Sequence, residues 1–201
     1  MKKIRLFVAF VAITISTFSQ QECKSYIEVT GVARYKKTVE KYIVTIVLSK
    51  DLLYNDDSEE YASLKESFLN KVKACHIDIS KLIENEFKYL TIGYKKKGIV
   101  FVFETSSKEE LVKFLKIRAL GIQLHTKNVL FKEIDIETLS KNAIENARRN
   151  AEKIAKNMNK KVGKIIALID CNTTDISESI YDDSLENLRA YELEVRFEIL
   201  D

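Results

Sequence analysis

The chain has 201 residues, with 33 Lys and Arg against 30 Asp and Glu, five glycines, three cysteines, two histidines and no proline. So small a charge excess excludes a strongly basic nucleic-acid binder, and the length suffices to bury about 70% of the unfolded surface without staples. Average usage would supply roughly ten prolines, so their absence beside so few glycines argues against a flexible linker between domains.

In chain order, the first segment reads as a processing signal. Lys2, Lys3 and Arg5 form a positive region, and Leu6 to Ser16 form a short apolar run. Thr17 and Ser19 stand three and one residues before a cut at Gln20, the layout of a secretory signal peptide. The apolar run is shorter than the roughly 20 residues a spanning helix needs. Gln20, Gln21 and Glu22 precede Cys23 where a lipoprotein signal would carry small and apolar residues. The expectation is therefore a signal peptide over 1–19 and an exported, periplasmic or cell-envelope chain over 20–201, as one compact unit or two lobes. Cleavage near Ser19/Gln20 removes three basic residues and no acidic one, which leaves 30 of each sign. A neutral chain attracts neither nucleic acid nor anionic lipid over long range, and no membrane-spanning segment is expected in it. Export also implies an oxidising compartment, where Cys23, Cys75 and Cys171 are either three free thiols or a Cys23–Cys171 bridge and one thiol.

The body of the chain opens with strand-like segments. Tyr26 to Tyr35 and Lys41 to Ser49 are rich in β-branched and aromatic residues and read as a hairpin across a polar turn. Asp57 and Glu60 mark a helix start, followed by an apolar stripe of Tyr61, Leu64, Phe68, Val72 and Cys75. Phe87 to Lys95 and Ile99 to Glu104 read as two strands, the second apolar on both faces as a central strand would be. Ser106 with Glu109 starts a short helix to about Arg118, and Lys127 to Glu133 is a strand. A long helix spans Asp135 to Asn159, Lys164 to Asp170 reads as a buried strand, and Tyr191 to Ile199 alternates strictly, as an antiparallel strand with one wet face does. The order β-β-α-β-β-α-β-α-β-β predicts an α+β fold with a mostly antiparallel or mixed sheet and packed helices.

The long helix carries alanines at 143, 147, 151 and 155. Residues four apart stack on one face, so these make a thin groove suited to close approach by a sheet. Ile136, Leu139, Ile154 and Met158 extend that side as bulkier ends. Glu145 precedes Arg148 and Arg149 by three and four residues, and Glu152 precedes Lys156 by four, a pattern that reads as a paired solvent face worth about 0.2–0.5 kcal/mol per pair. Val29–Gly31 in the first strand, the alanine helix over Ala143 to Ala155, and the step Lys161 to Ile165 through Gly163 together resemble the SIMPL-domain family over nearly the whole of residues 20–201. The chain departs from that pattern at Val39–Glu40, where the family usually has a proline and an acid, and at Ala74–Cys75–His76, where it usually has a glycine. The resemblance implies exported, envelope-associated bacterial proteins without known catalytic residues. Some relatives form ring-like oligomers, some are linked to stress resistance, and a eukaryotic branch signals through protein contacts. It thus implies a homo-oligomer or an unknown protein partner.

Catalytic, cofactor and metal sites are expected to be absent. Cys75–His76 is the one juxtaposition of nucleophile and base, but sequence neighbours diverge by about 100° on a helix and rarely meet. Two histidines in no ligand spacing do not make a zinc site. The acidic run Asp51 to Glu60 lacks the turning glycine of a calcium loop and suits a helix N-terminus, and Tyr181–Asp182–Asp183 reads as solvated loop. Two readings stay open: a non-enzymatic protein acting through assembly or through protein or ligand binding, and a thiol-dependent enzyme or redox binder using Cys75.

Overall fold

The computed structural model describes residues 25–53, 60–181 and 188–201. Residues 1–19, read above as a signal peptide, and Cys23, Asp57 and Asp182–Asp183 lie outside them. Among the described residues four α-helices accompany eight strands in two antiparallel sheets, the expected α+β fold. The chain divides into two compact units.

The first unit gathers residues up to Ala33, Glu137–Asn172 and Ala190–Asp201. Its sheet has the order β1 (Tyr26–Tyr35), β8 (Arg189–Leu200), β6 (Lys161–Asp170). The long helix α4 (Ile136–Asn157) buries Ala143, Ala147, Ala151 and Ala155 almost completely. Gly31 of β1 lies so close that a Cβ there would meet the Ala143 carbonyl, and the Ala147 methyl at 2.8 Å. The alanine face is therefore a packing face. The bulky ends behave otherwise: Leu139 is buried, whereas Ile136, Ile154 and Met158 stay roughly half exposed. Arg148 does not belong to a solvent face either. Its guanidinium lies 5.0 Å over the Phe197 ring of β8, and Nη1 reaches the Gly163 carbonyl of β6 at 3.4 Å. One cation thus ties the helix to two strands through a ring face and a backbone acceptor.

The second unit holds Arg34–Ile136 and Thr173–Arg189. Its sheet runs β3 (Leu82–Asn85), β4 (Gly98–Thr105), β2 (Val39–Ser49), β5 (Ile122–Phe131), β7 (Ser177–Ser179). Helix α1 (Tyr61–Ala74) sinks Leu64, Phe68 and Val72, and α3 (Lys108–Leu115) sinks Leu111 and Phe114, into one core with Val44, Ile46, Leu48, Phe101 and Phe103. Phe103 and Phe114 stack at 4.2 Å between ring centroids. Val47 and Val100 point the other way and are covered by Tyr89 of α2 (Glu86–Ile92). This double cover is why β2 and β4 are apolar on both faces.

Three expectations about strands also fail. Tyr26–Tyr35 and the second strand do not form a hairpin, since β1 pairs in one sheet and β2 is central in the other. The connecting Lys36–Thr38 has no positive-φ residue, which a tight primed turn requires. Phe87 to Lys95 is not a strand, because Asn85 caps the Lys88 amide at 2.7 Å, Glu86 supplies a first-turn acid and Gly93 closes the helix at φ 91°. The strand falls just upstream, at β3. Lys164 to Asp170 is a strand but not a buried one: β6 is the outermost strand of its sheet, with Ile166, Leu168 and Ile169 each about 40% exposed.

Candidate functional site

Cys75 and His76 complete the C-terminus of α1. Cys75 is the capping residue, half-buried against the second unit's core. His76 follows at φ 60°, its amide donates to Lys73 O, and the Ile77 amide donates to Val72 O. Those two bonds are the paired 5→2 and 6→1 contacts of a helix closed through the left-handed region, a position that glycine usually fills. The imidazole Nδ1 lies 3.1 Å from the Ala74 carbonyl, not on a thiol. His76 therefore holds a backbone conformation that glycine usually adopts. The geometry gives it a capping role, and the residue pair does not form an oriented dyad.

The acidic run has a structural use where it can be described. The Asp51 carboxylate accepts from the amides of Lys95 and Lys96 at 2.6 and 2.8 Å and so fixes the turn before β4. Ser49, fully buried, bonds the Tyr89 hydroxyl at 2.7 Å, and that hydroxyl donates to the Lys96 carbonyl at 2.6 Å. Burial pushes the Tyr89 pKa up, against the opposing pull of the Ser49 bond. This chain of donors staples α2 to the sheet and was not foreseen from sequence. Among the described residues no group of three His, Cys, Asp or Glu could hold a metal ion. Tyr181 is almost fully exposed, as expected of a loop residue.

At the end of β6 a second polar network closes the first unit's sheet. The Asp170 carboxylate accepts from the Tyr191 hydroxyl of β8 and from the Asn172 amide at 2.9 Å. Asn172 in turn donates to the Glu192 carbonyl at 2.6 Å and accepts from the Glu192 amide at 2.9 Å, imitating a further strand pair. The Tyr191 bond holds the Asp170 carboxyl below its usual range, and the same bond lifts Tyr191 to about 12. Cys171 lies exposed between these residues.

The feature with capacity for recognition is the free side of β6. Its sheet ends differently at its two edges. On β1 the Val32 amide donates to Asn146 Oδ1 of α4 at 3.0 Å, so that edge is partly capped from within. On β6 one side pairs with β8, and no described strand lies along the other. Two register irregularities, between Val162 and Ile165 and between Ile165 and Ala167, bend the strand, a device that discourages indiscriminate pairing. No family model and no curated protein matches the chain. The SIMPL resemblance thus rests on its own residues. No helix among the described residues is long and apolar enough to cross a membrane.

Proposed function

We propose that the protein is an exported, non-enzymatic member of the SIMPL-domain family that acts in the cell envelope by assembling with copies of itself, in a stress-resistance role. The observation that carries this reading is the outer edge of β6, whose Ile166, Leu168 and Ile169 remain open to water although the segment has the composition of a buried strand. An exposed apolar edge is a template for another strand. Its charges favour a second copy over an unrelated chain. Lys161 and Lys164 lie at one end and Asp170 at the other, so antiparallel pairing of two copies about the middle sets Lys161 opposite Asp170 at both ends. Opposite charges directly across strands contribute about 0.2–1 kcal/mol each. The contact is self-complementary, as a two-fold interface requires.

Export is tested by intact mass after expression with a working secretion system, where loss of residues 1–19 is expected. Assembly is tested by light scattering over a concentration series. A mass of two or more chains that persists on dilution supports it. A single-chain mass at every concentration rejects it.

A further inference from the structure

The second unit contains a cavity of about 380 Å³ between the end of α3, the turn that follows it, and the start of β5. Its walls are apolar, including Ile46, Phe114, Ile117, Ala119, Ile122 and Leu124, and Ile46 and Phe114 at its base are buried. Two polar side chains join the lining, Arg118 and Gln123. Both are held in place by other residues. Arg118 Nη1 donates to the carbonyls of Leu115 and Ile117 at 2.7 and 3.0 Å, which anchors the guanidinium at the end of α3. Gln123 Oε1 accepts from the Tyr94 hydroxyl at 3.0 Å.

These anchors decide what the site can receive. A guanidinium has five N–H donors and no acceptor, and Arg118 commits one nitrogen. The Gln123 oxygen already accepts from Tyr94, and its amide NH₂ is available as a donor. Both polar groups therefore offer hydrogens to an incoming molecule, and one of them is cationic. Among the described residues no carboxylate pairs with Arg118 or lines the cavity. The complement is an acceptor carrying negative charge, attached to an apolar body. At the ~30 Å³ that one water occupies in the liquid, the space corresponds to about a dozen non-hydrogen atoms. Pockets of a few hundred cubic ångströms with apolar walls and a few convergent polar groups have the form of small-molecule sites.

We propose that this cavity binds a small amphipathic anion, a carboxylate on an unbranched apolar chain of about ten carbons, with the head on Arg118 and Gln123 and the tail against Ile46 and Phe114. The site is independent of the assembly reading, since it lies within the second unit whereas β6 belongs to the first.

Decanoate, kept below its micelle concentration, is the probe. Titration into the purified protein, followed by calorimetry and by amide chemical shifts, is expected to saturate with one ligand per chain and to shift residues 114–124. Arg118→Gln should weaken binding about tenfold or more, the loss expected for a charge-assisted bond. Ala119→Leu should abolish binding by filling the space, and Leu124→Glu, at a half-exposed position that tolerates change, should do so by like-charge repulsion. Decyltrimethylammonium should bind more weakly than decanoate. Absence of saturable decanoate binding overturns the proposal. So does equal binding by the wild type and all three variants, which would mark nonspecific adsorption. Loss in Ala119→Leu with none in Arg118→Gln refutes the anionic head, and refolding controls by circular dichroism confirm that each variant is compared in its native state.

Discussion

At His76 the backbone pays for a side chain it does not need. A non-glycine residue in the left-handed region costs about 1–2 kcal/mol, offset in part by the greater freedom glycine loses on folding. His76→Gly should therefore raise the stability by about 0.5–1 kcal/mol, and His76→Val should lower it by a similar amount, read as shifts in the urea midpoint at constant slope. A lower midpoint for the glycine variant would mean that the contact of the imidazole with the Ala74 carbonyl outweighs the strain. Gly31 is the converse case, a glycine required by close approach. Any Cβ there runs into the backbone of α4, so the pairing of Gly31 with Ala143 and Ala147 fixes how deeply the helix sits on its sheet. The Val29–Gly31 core and the alanine period were both legible in the sequence, and the structure brings them together. The role of Arg148 was not legible, because its partners Phe197 and Gly163 lie far along the chain and local spacing offered the nearer Glu145 instead.

Between elements, the alanine face of α4 and the pair that ties β6 to β8 carry separate predictions. Ala151 is fully buried, so Ala151→Leu should overpack the contact and cost about 1–3 kcal/mol. Arg149, exposed on the same helix, should cost only a few tenths of a kcal/mol on change to alanine. Equal, negligible midpoint shifts would place the packing face elsewhere. The Asp170–Tyr191 bond should show itself through pH. Asp170 is held below its usual 3.8, so it stabilises the fold above about pH 4 and loses that effect as the pH falls further. Tyr191 is raised from 10.0 to about 12, so its contribution is complete below pH 10 and fades as the pH climbs from 10 toward 12. The stability difference between wild type and Tyr191→Phe should accordingly be flat from about pH 4 to 10 and narrow on both sides. A difference that does not change with pH would mean the bond does not form in solution. The helix α2 was legible but misread. Asn85, Glu86 and Gly93 are its start and stop signals, yet the aromatic and β-branched content of Phe87 to Lys95 drew the strand reading. Pairing partners were not legible at all. Nothing in ten residues of β1 or β6 states which sheet accepts them or on which side, and those two assignments are where the sequence reading fell short.

On the scale of the whole molecule, the chain leaves the first unit after Ala33, builds the second, and returns twice to complete the first. The first unit's sheet is therefore assembled from the two ends of the described chain and from the segment that follows α4, a topology dominated by contacts distant in sequence. Such folds form slowly, because loop-closure entropy is lost before those contacts repay it, and strand edges stay exposed meanwhile. The closing strand, whose alternation marked one wet face, is the middle of its sheet. The strand that looked buried is the open one. That inversion gives the assembly reading a physical address. Three exposed apolar side chains, two lysines and one aspartate lie along β6, whose open edge another copy can pair with, the charges setting the antiparallel direction.

Sedimentation velocity of the wild type beside Ile169→Lys tests this most directly. The substitution places a charge on the exposed outer strand and leaves the alanine face of α4 unchanged. The account predicts a wild type that sediments as two or more chains and a variant that sediments as one, with both unfolding at the same temperature when dilute. Identical sedimentation of the two proteins at every concentration would contradict it.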